Sequence, residues 1–292
     1  MASLKDVKVK IAGVGKTKQI TKAMYMVASA KLRGSQSRIE RFRPYAEKFY
    51  DVLGHLAGQA SEVSHPLLEV HAQQENALIV LMTSDRGLCG SLNVSLIAKG
   101  LDEARIRAAQ GKRVRFVCLG RKGRSAIQKS TYDIKRFYTN EDGAGFSLAS
   151  LIGRDMMGDY IYRATDEVVL VYPEFVSTAS QVPQSLPLLP IKPSKADMAD
   201  DDAAHATDPD FLYEPQAGQL LRQLLPTYIN SQIYRAMLDT AASEHAARML
   251  AMDNATRNCD ELISTLTLLY NKTRQATITS ELIDIVGGAN AL

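Results

Sequence analysis

The stretch Pro215-Gln-Ala-Gly-Gln-Leu-Leu-Arg-Gln-Leu-Leu-Pro226, continuing through Ser243-Glu-His-Ala-Ala-Arg-Met249 to Ile278-Thr-Ser-Glu-Leu282, decides how this chain is built. From Pro215 to about Val286 the pattern is helical, and only Pro226 interrupts it. At 1.5 Å per residue, about 70 helical residues reach roughly 105 Å. One globular core cannot bury so long a helix, so it needs a partner helix.

Residues 3–57 offer that partner. Leu4, Val7, Ile11 and Val14 recur at spacings of three and four, and Ile20, Met24, Val27 and Ala28 continue after a small phase shift. This narrow apolar stripe is the pattern of a coiled-coil strand with a stutter. Phe42, Tyr45, Phe49, Val52 and Leu56 extend it, Pro44 is its only proline, and His65-Pro66 begins a loop.

Residues 76–191 change character. Ala77-Leu-Ile-Val-Leu-Met82 reads as a buried strand, followed by the turn Ser84-Asp-Arg-Gly-Leu-Cys-Gly90. Strands at 114–119, 134–138 and 167–172 then alternate with helices at 91–109, 121–129 and 146–160. That alternation predicts an α/β layer with a mostly parallel sheet. Residues 175–191, with Pro183, Pro187 and Pro190, suit edge strands only. The expected fold class is α/β: two long terminal helices paired as an antiparallel coiled coil, with an inserted Rossmann-like domain. The expected boundaries are 1–58 and 214–292 for the helices, 76–191 for the α/β domain and 192–213 for a polar linker.

Composition narrows the functional classes. The chain has 292 residues, 46% of them hydrophobic, which excludes wholesale disorder. Three cysteines, Cys89, Cys118 and Cys259, stand far apart, so neither a disulfide framework nor a zinc site is expected. The longest apolar run, Ala77 to Met82, is too short to span a bilayer. Net charge is +3, unevenly spread: residues 1–48 hold 12 Lys and Arg against 3 acidic residues. A basic arm on an otherwise acidic chain suggests an acidic partner, whether nucleic acid, anionic lipid or protein, or simply a solvated lysine face.

Few motifs suggest chemistry. Gly13-Val-Gly-Lys-Thr17 resembles the end of a phosphate loop, but position 10 is Lys where the cradle requires glycine. The turn at 84–91 could hold Cys89 as a nucleophile at a helix N-terminus, or be a tight structural turn. The histidines at 55, 65, 71, 205 and 245 show no spacing that proposes a base for it. Asp200-Asp-Asp202 falls in the polar linker, where a solvated loop is the simpler reading. Two competing classes remain: a hydrolase or transferase using Cys89, and a basic coiled-coil nucleic-acid binder using residues 5–48.

A resemblance covers the whole chain. Ile20-Thr-Lys-Ala-Met-Tyr-Met-Val-Ala-Ser-Ala-Lys31, Thr83-Ser-Asp-Arg-Gly-Leu-Cys-Gly90 with Leu92-Asn93, Tyr270-Asn-Lys-Thr-Arg-Gln-Ala276 and Ile285-Val-Gly-Gly-Ala289 resemble the motifs of the γ subunit of F-type ATP synthases. The chain departs from that family at Gly13, Gly15 and Lys16, and at Tyr25, where Glu is common. The resemblance implies a rotor shaft turning inside three α and three β subunits, its foot on a membrane ring of c subunits beside ε. It implies no catalytic residue, cofactor or metal, no nucleic-acid partner and no membrane span of its own. It also implies stator contacts at Lys22, Met24, Lys31, Arg33, Arg274 and Gln275, and c-ring and ε contacts at Tyr213 and Glu214. A start at Met1 in register with the family points to a bacterial chain, at the cytoplasmic face of the inner membrane.

Overall fold

The computed structural model describes residues 4–59, 65–139, 145–191 and 217–289. Ten elements follow one another: α1 Leu4–Gln59, β1 Asn76–Met82, α2 Leu92–Ala109, β2 Arg113–Leu119, α3 Arg121–Ile127, β3 Asp133–Tyr138, α4 Phe146–Ile161, β4 Glu167–Phe175, β5 Gln181–Leu189 and α5 Ala217–Ala289. The chain divides into two compact units, one of residues Met1–Ala30 with Arg248–Leu292 and one of Lys31–Ala247.

In the larger unit the five strands form one sheet, ordered β3-β2-β1-β4-β5. β1 pairs in parallel with β2 and β4, β2 in parallel with β3, and β5 closes the edge antiparallel to β4. The central strand is buried on both faces, which is why β1 is a continuous apolar run without alternation. Leu78, Val80 and Met82 point to one layer, with Ile152, Met156 and Tyr160 of α4 and Leu225, Ile229, Ile233 and Met237 of α5. Ala77, Ile79 and Leu81 point to the other, with Leu92, Leu96 and Ala104 of α2, Ile127 of α3 and Phe116 of β2. Pleating divides one strand between two cores.

The edge follows from proline chemistry. β4 extends through Pro173 to Phe175, beyond Val171 where its pairing with β1 stops. Pro183 and Pro187 lie on β5, which has a single sheet neighbour. A missing N–H is tolerated there. The segment 65–71 is tied down behind the sheet: His71 Nδ1 meets Asp166 at 2.8 Å, and the His71 ring stacks on Tyr160 at 4.4 Å. The expected linker at 192–213 lies outside the described residues.

Candidate functional site

In the smaller unit, α1 and α5 lie side by side. Lys18 pairs with Asp260, and Thr21 Oγ1 lies 2.8 Å from Thr256 Oγ1. Numbers rise along α1 as they fall along α5, so the helices run antiparallel. Val7, Thr21 and Ala28 of α1 and Met252 and Cys259 of α5 are buried. Val7, Thr21 and Ala28 are spaced by fourteen and seven residues, and Met252 and Cys259 by seven, whole heptads as a seam requires. Gly13 to Thr17 are helical within α1, with Gly13 carbonyl oxygen accepting from Thr17 Oγ1 at 3.2 Å, so no phosphate cradle forms there.

The remainder of α5 presents a different surface. Leu262, Leu268, Ile278, Leu282, Ile283, Ile285 and Val286 are all exposed. Between them Thr265, Thr267, Thr273, Thr277 and Thr279 each donate their hydroxyl to the carbonyl four residues earlier, at 2.7–3.0 Å. The hydroxyls are thereby satisfied within the helix.

Of the residues implied by resemblance, Lys22, Arg274 and Gln275 are exposed and Met24 is half-buried, all in this unit. Lys31 and Arg33 are exposed on α1 in the larger unit. Tyr213 and Glu214, like Asp200 to Asp202, lie outside the described residues. No structural contact joins these positions into one pocket among the described residues. They mark helix surfaces. The pairs Lys18–Asp260 and Thr21–Thr256 escaped sequence reasoning, because they depend on the register between helices 235 residues apart.

The turn after β1 is built from its own side chains. Cys89 is buried; Asn93 Nδ2 donates to its Sγ at 3.1 Å, and Ser84 Oγ lies 3.8 Å away. Asn93 Oδ1 accepts from the Ser84 amide at 3.1 Å, and Asp85 accepts from the Arg121 amide at 2.9 Å. Leu88 and Gly90 carry positive φ. Behind the turn, Thr83 Oγ1 accepts from the Gly123 amide at 2.8 Å, and a Cβ on Gly120 would sit 2.1 Å from the Thr83 carbonyl oxygen. Among the described residues the partners of Cys89 are Ser84 and Asn93, and neither is a base. Cys118, deep in β2, is pushed up to about 12 by burial.

A largely buried charge network lies at the opposite end of the strands, where β2 and β4 begin. Arg107 donates to Glu103 at 2.6 Å and to Glu167 at 2.8 Å, while Lys112 reaches Glu167 at 2.7 Å. Burial alone would push the Glu103 carboxyl up; hydrogen bonds from Lys99, Arg107 and Ser185 outweigh it and hold the group at about 2. Among the described residues no group of three or more His, Cys, Asp or Glu is placed to hold a metal ion, and no helix is long and apolar enough to cross a membrane.

Comparison with known proteins matches these features. The family model described as ATP synthase matches residues 3–292. An ATP synthase gamma chain of Nitratidesulfovibrio vulgaris, strain Miyazaki F, is 58% identical over 293 residues, spanning 100% of this chain and 99% of that one. The gamma chain of Lawsonia intracellularis is 54% identical, with both chains fully covered. Among solved structures, the central stalk and c-ring assembly of the Tetrahymena thermophila mitochondrial ATP synthase holds a chain 28% identical, with TM-score 0.60 over 81% of this chain and 99% of that one. A chain of the Euglena gracilis mitochondrial enzyme, 23% identical with TM-score 0.68 over 99% of this chain and 94% of that one, shares the fold. With a family model spanning nearly its whole length and full-length relatives above half identity, the chain belongs to the ATP synthase gamma family.

Proposed function

We propose that the chain is the central rotor shaft of an F-type ATP synthase, coupling ion-driven rotation of a c-ring to ATP synthesis and hydrolysis at the β-subunit sites. The observation that carries this is the antiparallel pairing of α1 with α5 at Lys18–Asp260 and Thr21–Thr256, in a chain of this family. A pair of helices resists twisting better than one. In this reading residues 1–58 and 214–292 form the shaft, 76–191 the foot and 192–213 the linker. The α and β subunits surround the shaft, and ε and the c-ring meet the foot.

The chain carries no catalytic site of its own. Support comes from Cys89, whose partners are Ser84 and Asn93, and from the helical state of Gly13 to Thr17. Lys22, Met24, Lys31, Arg33, Arg274 and Gln275 face the stator, and Tyr213 and Glu214 meet the c-ring and ε. The assembly works at the cytoplasmic face of a bacterial inner membrane. Reconstitution with α and β subunits tests the proposal: ATPase activity and ATP-driven ion pumping must both depend on this chain. Full coupled activity without it, or turnover of a substrate by the chain alone, would overturn the reading.

A further inference from the structure

A cavity of about 430 Å³ lies within the larger unit, between α1, the C-terminal end of β4 and α5. It sits against Glu174 to Val176, past Val171 where β4 stops pairing with β1. The walls hold apolar surface from Phe42 and Leu238, and charges from Glu40 and Arg43 of α1, Glu174 of β4 and Arg235 and Asp239 of α5. Among the described residues, three carboxylates face two guanidinium groups, one negative charge in excess.

Asp239 is the residue that needs an explanation. It is partly buried, and no hydrogen bond or ion pair meets its carboxylate within the described residues. Burial raises its carboxyl to about 6, Arg235 and Arg43 oppose that rise from a distance, and Glu174 adds to it. Glu174 is held by Gln184 Nε2 at 3.0 Å. A partly desolvated carboxylate that still faces open space gains from an incoming cation, which favours its charged form.

We propose that this cavity receives a basic side chain from a partner protein, its cationic head between Asp239 and Glu174 and its methylene stem along Phe42 and Leu238. Arginine fits best, because a planar fork can bridge two carboxylates at once. Arg43 and Glu40, both exposed at the rim, then flank the entry and disfavour a second cation or an anion.

The inference does not depend on the rotor reading, and its first test uses the full chain alone. The probe is N-acetyl-arginine methylamide, with the uncharged citrulline analogue as control, read from carbon-13 signals of labelled aspartate carboxyls. A saturable shift is expected with the arginine probe, weakening below pH 6 as Asp239 takes up a proton. Asp239→Asn should weaken it at least tenfold. That variant removes an unpaired charge and should melt no lower than the parent; Glu174→Gln provides a second reading. No saturation, or an equal response from the citrulline probe or from Asp239→Asn, overturns the proposal. The second test places a photo-crosslinking phenylalanine analogue at exposed Val176, beside the cavity, in the assembled complex. A cross-link to another chain within a few residues of an Arg or Lys supports a protein occupant. No inter-chain cross-link at normal subunit content, or one to a segment without a basic residue, overturns it.

Discussion

Arg274 is exposed and makes no ion pair with the described residues, so its charge is available to another chain. A charge-assisted hydrogen bond shielded from water contributes roughly 1.5–3 kcal/mol. Arg274→Ala should therefore lower ATPase turnover or ion pumping in reconstituted complexes while the chain still folds and assembles. Lysine there should rescue only part, since it keeps charge but lacks the fork. Wild-type values in the alanine variant would reduce Arg274 to a solvated helix charge. The cysteines behave oppositely. All three are buried, so Cys89→Ser should leave coupled synthesis largely intact, and alkylation of the native chain should be slow. Gly120, behind the turn, tolerates no side chain: at φ +100°, with Thr83 backbone in the way, Gly120→Ala should cost at least about 3 kcal/mol. A denaturant midpoint equal to wild type would refute that. The turn was legible in the sequence as a strand-to-helix connection. Its interlock with residues 120–123 was not, because those residues lie beyond the reach of any local pattern.

At the scale of elements, the long helices were readable because their apolar spacing is periodic over dozens of residues. α5 passes through Pro226, and α1 through Pro44, without a break in assignment. The strands were readable as alternating runs, and the parallel order followed from helices long enough to cross between them. β5 was less legible, since its two prolines, Pro183 and Pro187, obscure an edge strand whose presence depends on its neighbour. The seam of the smaller unit separates two kinds of contact. Lys18 and Asp260 remain 36% and 53% exposed, so Lys18→Ala should cost less than about 1 kcal/mol. Ala28 is 2% exposed, and Ala28→Asp would bury an unpaired charge against the seam, costing about 3 kcal/mol or more. Thermal melts of the two variants, followed by helical circular dichroism, should separate clearly; similar melts would place the seam elsewhere.

For the molecule as a whole, two carboxylates impose opposite pH dependences. The Glu103 carboxyl is depressed, so its stabilisation is complete above the ordinary glutamate range and is lost as pH falls toward about 2. The Asp239 carboxyl is raised, so the native state takes up a proton before the unfolded chain does, and stability falls as pH rises from about 4 to about 6. That loss is on the order of 3 kcal/mol. The wild-type melting temperature should therefore be higher at pH 5 than at pH 7.5, and Asp239→Asn should flatten the difference. An unchanged slope in that variant would assign the dependence to other groups. Neither effect was visible in the sequence, where Glu103 shows only an i,i+4 spacing to Arg107 and Asp239 is one acidic residue in a long helix. Burial and facing charge, which set both, exist only in three dimensions.

The folded-back threonine hydroxyls of α5 have a mechanical consequence. With their donors already spent on the helix, these side chains offer a partner no hydroxyl proton, and exposed Leu268 and Ile278 beside them offer only methyl groups. Contacts made by methyl groups are dispersive, about 0.1–0.2 kcal/mol per atom pair, and nearly indifferent to angle. Sliding one such surface past another meets only shallow corrugation. In the rotor we propose, the detents that hold one angle against the next would fall to the few groups able to form directional bonds, with Arg274 foremost among them.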